Sequence, residues 1–360
     1  MSRRLLVLCP YPPDRAPSQR LKFEQYYADW RAHGWSVDVR PFWDEAGWSV
    51  LYRPGERAAK AAALARGLAR RRRDLADALA ADLVYLHLEA APVGPPWIER
   101  RLARAGVPIV YDIDDLVHLP HGSRANPFMR WVRGRGKVGE LIARARHVIV
   151  CTPYLADYAR GHNPRVTNIS STIDTDAYVL RGGSSVTEGV VIGWSGSHST
   201  SPYLHRLDDV LRRVQREDGA RVLVLGDAGF AVAGLALEAR PWRLEREVAD
   251  LREIDVGVYP LPHEEWVLGK SGLKALQYMA LGIPPVVENV GVNPEIVQDG
   301  ENGFLVSGAE EWILCLRRLI RDPELRARVG AAARATVEAR YSVRANAPLY
   351  RAVLEEAVGG

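Results

Sequence analysis

Cysteine is scarce. The three residues, Cys9, Cys151 and Cys315, stand far apart without a CxxC pair or Cys/His ligand spacing, which argues against both a disulfide framework and a zinc site. A reducing cytoplasm is the expected compartment. No apolar run approaches the roughly 18 residues that a membrane span needs. The basic start Met1–Arg4 leads into only Leu5–Leu8 before Pro10, Pro12 and Pro13, too short for a signal peptide and readable as a buried first strand. Neither GxGxxG nor GxxxxGK[ST] occurs, so a nicotinamide enzyme and a P-loop ATPase lose support. The nine histidines form no convincing pair at metal-ligand spacing, and no metal is expected.

What is present fits a soluble globular protein: 47% hydrophobic and 26% charged residues over 360 positions, enough chain for two domains of roughly 150 to 200 residues. Short apolar runs alternate with segments of helical period, the pattern of parallel strands and crossover helices. In the first half, strands are expected over 5–9, 36–40, 83–88, 108–113, 147–151 and 166–169, with helices over 20–33, 58–80, 97–105 and 137–144. The turn-rich stretch Arg181–Ser185 ends that series. A second series follows, with strands over 190–194, 221–225, 255–259, 285–287 and 303–306 and helices over 203–215, 273–280, 310–321 and 323–341. The expected organisation is a doubly wound α/β domain over 1–180, another over 187–342, and a C-terminal helix over 343–360 that packs back toward the first. Asp322-Pro323 has the form of a helix start and Gly282 that of a helix stop.

Charge is uneven although the net value is only +4. Arg57–Arg73 holds seven cations and no acid, and Arg124–Arg146 is also basic. These read either as solvated faces or as a patch for an anionic membrane surface or acceptor. Nucleic acid is disfavoured, because the basic runs carry no interleaved aromatics.

In open parallel sheets, ligands lie beyond the carboxyl ends of the strands. Four loops there stand out. Ser195-Gly196-Ser197, followed by His198-Ser199-Thr200, is small and hydroxyl-rich, suited to phosphate oxygens or simply a strand-to-helix turn. Gly269-Lys270-Ser271-Gly272 opens a helix bearing Lys274 and Gln277, which reads as a diphosphate cradle or as a solvated lysine face. Asp112 near the end of the strand at 108–113 is followed by Asp114 and Asp115, where a carboxylate can take a proton from a hydroxyl, cap a helix or join a metal cluster. The Pro-rich loop 10–20 offers Ser18 as a cap and Arg20 as an anion contact. Trp194, Trp242 and Trp266 are candidates for stacking or core packing.

The stretch from Gly269 to Pro284, with DVGVYPLP (255–262) before it and GVNPEIVQDGENGF (291–304) after it, resembles the donor domain of glycosyltransferase family 4. The resemblance covers 187–342 and is weaker before. It implies the GT-B fold, two Rossmann-like domains facing a central cleft. It further implies a nucleotide-diphosphate sugar as co-substrate, no other cofactor, no metal, and transfer with retention to a glycan, lipid-linked or small-molecule hydroxyl. Bacterial surface polysaccharide or glycolipid assembly, cytoplasmic or peripheral on the inner membrane face, is the implied setting. The family's paired glutamates fall on Gly269 and Gln277, neither an acid, and the Arg/Lys pair of its first donor-domain strand is missing after Ser195. The resemblance therefore leaves the donor to Ser195, Gly196, Ser197, Glu265, Ser271, Gly272, Lys274 and Gln277. Asp114, where the family often has histidine, and Lys270 become the catalytic candidates, and Arg20 and Asp115 the acceptor contacts. A degenerate binding subunit and a nucleotide-sugar epimerase of the same fold remain as alternatives.

Overall fold

The computed structural model describes residues 2–51, 53, 55–116, 136–180 and 189–359. These form two compact units: Met1–Ser171 with Leu268–Ser271 and Asn346–Gly360, and Thr172–Val267 with Gly272–Ala345. The linker Arg181–Ser185 and most of the basic stretch from Arg124 lie outside the described residues. Thr172–Leu180 packs with the second unit, anchored by Arg334, whose guanidinium donates to the Tyr178 and Thr175 carbonyls.

The first unit is built on a parallel sheet of β1 (Arg3–Cys9), β2 (Trp35–Pro41), β3 (Leu83–His87), β4 (Ile109–Ile113), β5 (His147–Val150) and β6 (Val166–Asn168). The strand order is β2-β1-β3-β4-β5-β6. β1 and β3–β5 are apolar at almost every position because helices cover both faces, so no solvent side requires alternation. Leu6, Leu8, Val84, Leu86, Tyr111 and Val148 form one core.

The helix expected over 20–33 is three pieces, Pro17–Arg20, a 3-10 turn at Glu24–Tyr26, and Tyr27–Ala32. The break at Leu21–Phe23 sends Lys22 to the Asp112 carboxylate at 2.8 Å and sets Phe23 against the Tyr85 and His87 rings at 5.2 and 4.8 Å. Ser18 lies inside the first piece, whose cap is Ala16 without a side-chain bond. Sequence patterning also missed the helix Glu45–Leu51. The Arg-rich helix runs Arg57–Leu79. Arg66 and Arg70 pair with Asp44, and buried Arg71 with Asp74; Arg57, Arg66, Arg72 and Arg73 are its exposed arginines.

The second unit holds β7 (Val191–Ser195), β8 (Arg221–Leu225), β9 (Glu238–Arg240), β10 (Val256–Tyr259), β11 (Pro285–Glu288) and β12 (Phe304–Val306), ordered β12-β11-β10-β7-β8-β9. Counted within the unit, this is the order 3-2-1-4-5-6 of dinucleotide-binding sheets. The segment expected as one helix near 203–215 begins as a 3-10 turn, Ser201–Leu207, and becomes α-helical only over Asp208–Asp218. Asp322 caps the helix Pro323–Thr336 by accepting from the Leu325 amide at 2.8 Å. That helix ends before Tyr341, in a π turn over Val337–Tyr341, and a last helix covers Val343–Gly359.

Candidate functional site

Strand order reverses at one place in each sheet, between β1 and β3 in the first unit and between β7 and β10 in the second. Such switch points open a crevice at the carboxyl ends of the strands. In the second unit the chain leaving β7 is Ser195–Thr200. The Ser195 amide donates to the Tyr278 hydroxyl at 2.8 Å and the Gly196 amide to the Leu225 carbonyl at 2.9 Å. The Ser197 amide donates to the Thr200 hydroxyl at 3.1 Å, and the Ser197 and Ser199 hydroxyls bond at 2.8 Å. A Cβ on Gly196 would meet the Trp194 ring at 2.3 Å, so the loop is packed tightly against its own strand. The loop is thus preformed, with exposed hydroxyls at Ser197 and Ser199.

Lys274 lies on the helix Leu273–Ala280, its ammonium 5.6 Å from the Trp194 ring centre and 5.2 Å from that of Tyr259. Both aromatics belong to the switch-point strands, and their faces hold the cation at the crevice. Lys270 and Lys274 do not share a helix face, contrary to expectation. Gly272 takes φ +69 as the N-cap, with space for no side chain because Ile296 would be 2.4 Å from its Cβ. The chain therefore turns between the two lysines.

Gln277 is buried, and its amide donates to the Tyr178 hydroxyl at 2.8 Å and to Glu247 at 3.4 Å. Glu247 also accepts from Tyr178 at 3.0 Å and from the Trp242 indole at 3.0 Å. Gln277 therefore bonds protein groups with its amide nitrogen. A small concavity beside this network is lined by Ser195, Leu225, Trp242, Arg243, Glu247 and Asp250. Glu247, absent from the sequence candidates, carries the buried carboxylate that position 277 lacks. Glu265 is exposed at the head of a 3-10 turn, Glu265–Gly269.

The first unit carries a separate polar cluster. Lys22 and Asp112 form a fully buried ion pair, and Tyr85 donates to Asp112 at 2.7 Å. Burial acts to raise the Asp112 carboxyl, but Lys22 and His87 outweigh it and hold it below its ordinary value. Asp114, with a side chain 13% exposed, is raised, first by burial and then by Asp115 and Asp112, against the opposing pull of His87 and Lys22. Lys270 donates to Asp115 at 2.8 Å. Its burial disfavours the charge, but Asp115 and Asp114 prevail and raise it. The hydroxyls of Ser271 and Ser171 bond at 2.7 Å. A Cβ on Gly269 would sit 2.4 Å from Leu116 Cγ, so no glutamate fits there without displacing the chain. Arg20 is half-buried at the end of its short helix, and Gln19 closes the preceding loop by bonding Tyr11 through both amide atoms at 2.9 and 3.0 Å. Among the described residues no group of three His, Cys, Asp or Glu is arranged to hold a metal ion. No described helix is long and apolar enough to cross a membrane.

Residues 190–322 match the family model described as glycosyl transferases, group 1. All six strands of the second sheet lie inside that match. D-inositol 3-phosphate glycosyltransferases are similar over shorter stretches: that of Streptomyces griseus is 39% identical over 90 residues, covering 24% of this chain, and that of Streptomyces scabiei 34% over 123, covering 32%. This chain spans only 19% and 26% of those relatives' own length. Solved structures are similar over nearly the whole chain. Anabaena HepE in complex with UDP and glucose superposes with TM-score 0.66 at 18% identity, covering 99% of this chain and 100% of that one. The catalytic domain of starch synthase IV from Arabidopsis thaliana, bound to ADP and acarbose, gives 0.70 at 11%, covering both chains fully at 100%. The fold is GT-B, two Rossmann-like α/β domains.

Packing explains the side chains at two of the expected donor positions. Leu116 closes on Gly269, and the Glu247 network holds Gln277. Sequence reasoning had no signal for Glu247, thirty residues from Gln277, nor for His87, which lies beside Asp112 only because β3 pairs with β4.

Proposed function

We propose that this chain is a glycosyltransferase whose second unit binds a nucleotide-diphosphate sugar and whose product forms at a hydroxyl of a glycan, glycolipid or small-molecule acceptor. The observation that carries the reading is that the β7/β10 switch point, with its preformed hydroxyl loop and the caged Lys274, falls inside the group 1 match. That HepE holds UDP and starch synthase IV holds ADP is consistent with it. Ser195, Ser197, Ser271, Gly272 and Lys274 are the proposed diphosphate contacts, with Gly196, whose amide bonds Leu225, shaping the loop and Glu265 on the sugar. Gln277 acts through Glu247, whose side chain lines the small concavity beside Ser195. Arg20 and Asp115 are the proposed acceptor contacts.

The bond from anomeric carbon to phosphate breaks with charge collecting on the leaving diphosphate, so fixed cations and amide dipoles supply most of the acceleration. Lys274 and Lys270 are the cations, and Lys270 exchanges Asp115 for phosphate. Asp114, raised by burial, is a stronger base than an exposed carboxylate and takes the acceptor proton. Retention, independence of metal, and a role in surface polysaccharide or glycolipid assembly complete the reading.

A thermal-shift screen with UDP, GDP, dTDP and ADP tests it. One nucleotide at about 100 times its Kd should stabilise by about 2.7 kcal/mol, and no shift with any of them would overturn the reading. Incubation with donor alone separates a transferase from an epimerase, since only the latter turns over without an acceptor.

A further inference from the structure

At the carboxyl edge of the first sheet two carboxylates and an imidazole lie in a row. β3 and β4 pair with His87 opposite Asp112, so these side chains share a face, and Asp114, two residues on, returns to that side. Asp112 Oδ2 is 3.3 Å from His87 Nδ1, and His87 Nε2 is 3.8 Å from Asp114 Oδ1. Lys22 holds the other oxygen, Asp112 Oδ1, at 2.8 Å, and Tyr85 donates to Oδ2, the oxygen that faces His87, at 2.7 Å. The Phe23 ring packs on the imidazole at 4.8 Å. Leu88, the next residue, has φ +59, a conformation unfavourable for a non-glycine residue that persists only where the surroundings impose it. His87 is wholly buried, yet among the described residues neither ring nitrogen makes an aligned hydrogen bond. It is a buried imidazole aimed at two carboxylates, one of which reaches solvent.

We propose that His87 is a positioning and proton-relay residue for Asp114: Asp112 fixes the proton on Nδ1, and the Nε2 lone pair faces Asp114. This rests on the glycosyltransferase reading above. In the step, ionised Asp114 removes the acceptor hydroxyl proton as that oxygen bonds to the anomeric carbon. The carbon–oxygen bond to the diphosphate breaks, and its electron pair leaves on phosphate. The proton passes from Asp114 to Nε2, leaving Asp114 ionised to balance the imidazolium while Asp112 stays paired with Lys22, and it returns through Asp114 to solvent after product leaves. Lys22, Asp115, Lys270 and the Cys151 thiol are also close enough to Asp114 to interact with it electrostatically, as is Glu24 with His87. The thiol, pushed up to about 12 by burial, stays protonated and takes no part.

The test is NMR of the full chain labelled with 15N-histidine and 13C-carboxyl aspartate, as wild type, Asp114→Asn and His87→Gln. The wild type should show His87 as the Nδ1–H tautomer, with an Nε2 resonance that moves in Asp114→Asn. Because His87 Nε2 lies beside the Asp114 carboxylate, His87→Gln should move the Asp114 titration. An Nε2–H tautomer, or an Asp114 titration unmoved in His87→Gln, would overturn the proposal. If His87→Gln does not fold, the tautomer and its response to Asp114→Asn decide the matter. Calorimetry of the same wild-type sample with UDP, GDP, dTDP and ADP reads the donor assignment separately, so its failure is not mistaken for failure of the relay.

Discussion

Placing a glutamate at position 277 should destabilise the protein. Gln277 Nε2 lies 3.4 Å from Glu247 Oε1 and 2.8 Å from the Tyr178 hydroxyl, and Gln277→Glu replaces that donor with a second carboxylate in a buried site. Two unit charges 3.4 Å apart repel by about 5 kcal/mol at an effective dielectric constant near 20. The pair escapes part of this by sharing a proton. The folded pKa of that proton then lies above the unfolded glutamate value of about 4.3. Its stability contribution is present below the unfolded pKa and lost as pH rises through the folded one. The expected loss is about 3 to 5 kcal/mol at pH 8, falling to about 1 kcal/mol at pH 5. Urea unfolding followed by tryptophan fluorescence measures it, with Trp242 bonded to Glu247 as a local reporter. A variant as stable as wild type at pH 8, or a deficit that does not change with pH, would refute the reasoning.

Gly269→Ala should cost about 1 to 3 kcal/mol through overpacking against Leu116, measured by the shift of the urea midpoint at unchanged slope. Lys22→Met leaves Asp112 buried without its cation and should destabilise by about 3 to 5 kcal/mol at pH 7. Because the native Asp112 carboxyl is depressed, the pair's contribution is present above the unfolded aspartate pKa of about 3.9 and is lost as pH falls through the lower folded value. Thermal melts of the two proteins should therefore converge in acid. Lys274→Ala should weaken nucleoside diphosphate binding about tenfold or more by calorimetry while leaving the Trp194 and Tyr259 strands folded.

The strands were legible because parallel strands buried on both faces leave continuous apolar runs, as at Leu5–Cys9 and Arg221–Leu225. β9 was not, since Glu238–Arg240 is a three-residue edge strand with charged ends, and its existence depends on β8 beside it. The break at Leu21–Phe23 was hidden because helical period continues through it, and only the buried Asp112 partner explains why Lys22 turns inward. The loops at Ser195, Lys270 and Asp114 were readable from composition and strand position. Their partners were not: Lys270 meets Asp115 across 155 residues and Gln277 meets Tyr178 across 99. Spacing along the chain placed the two lysines on one face, and the left-handed turn at Gly272 separated them.

Hydrogen–deuterium exchange with and without the best-stabilising nucleoside diphosphate tests the donor assignment most directly. The account predicts protection of the Ser195–Thr200 loop, of 241–251 and of the first turn of Leu273–Ala280. Protection confined to other segments, or none at saturating nucleotide, would contradict it.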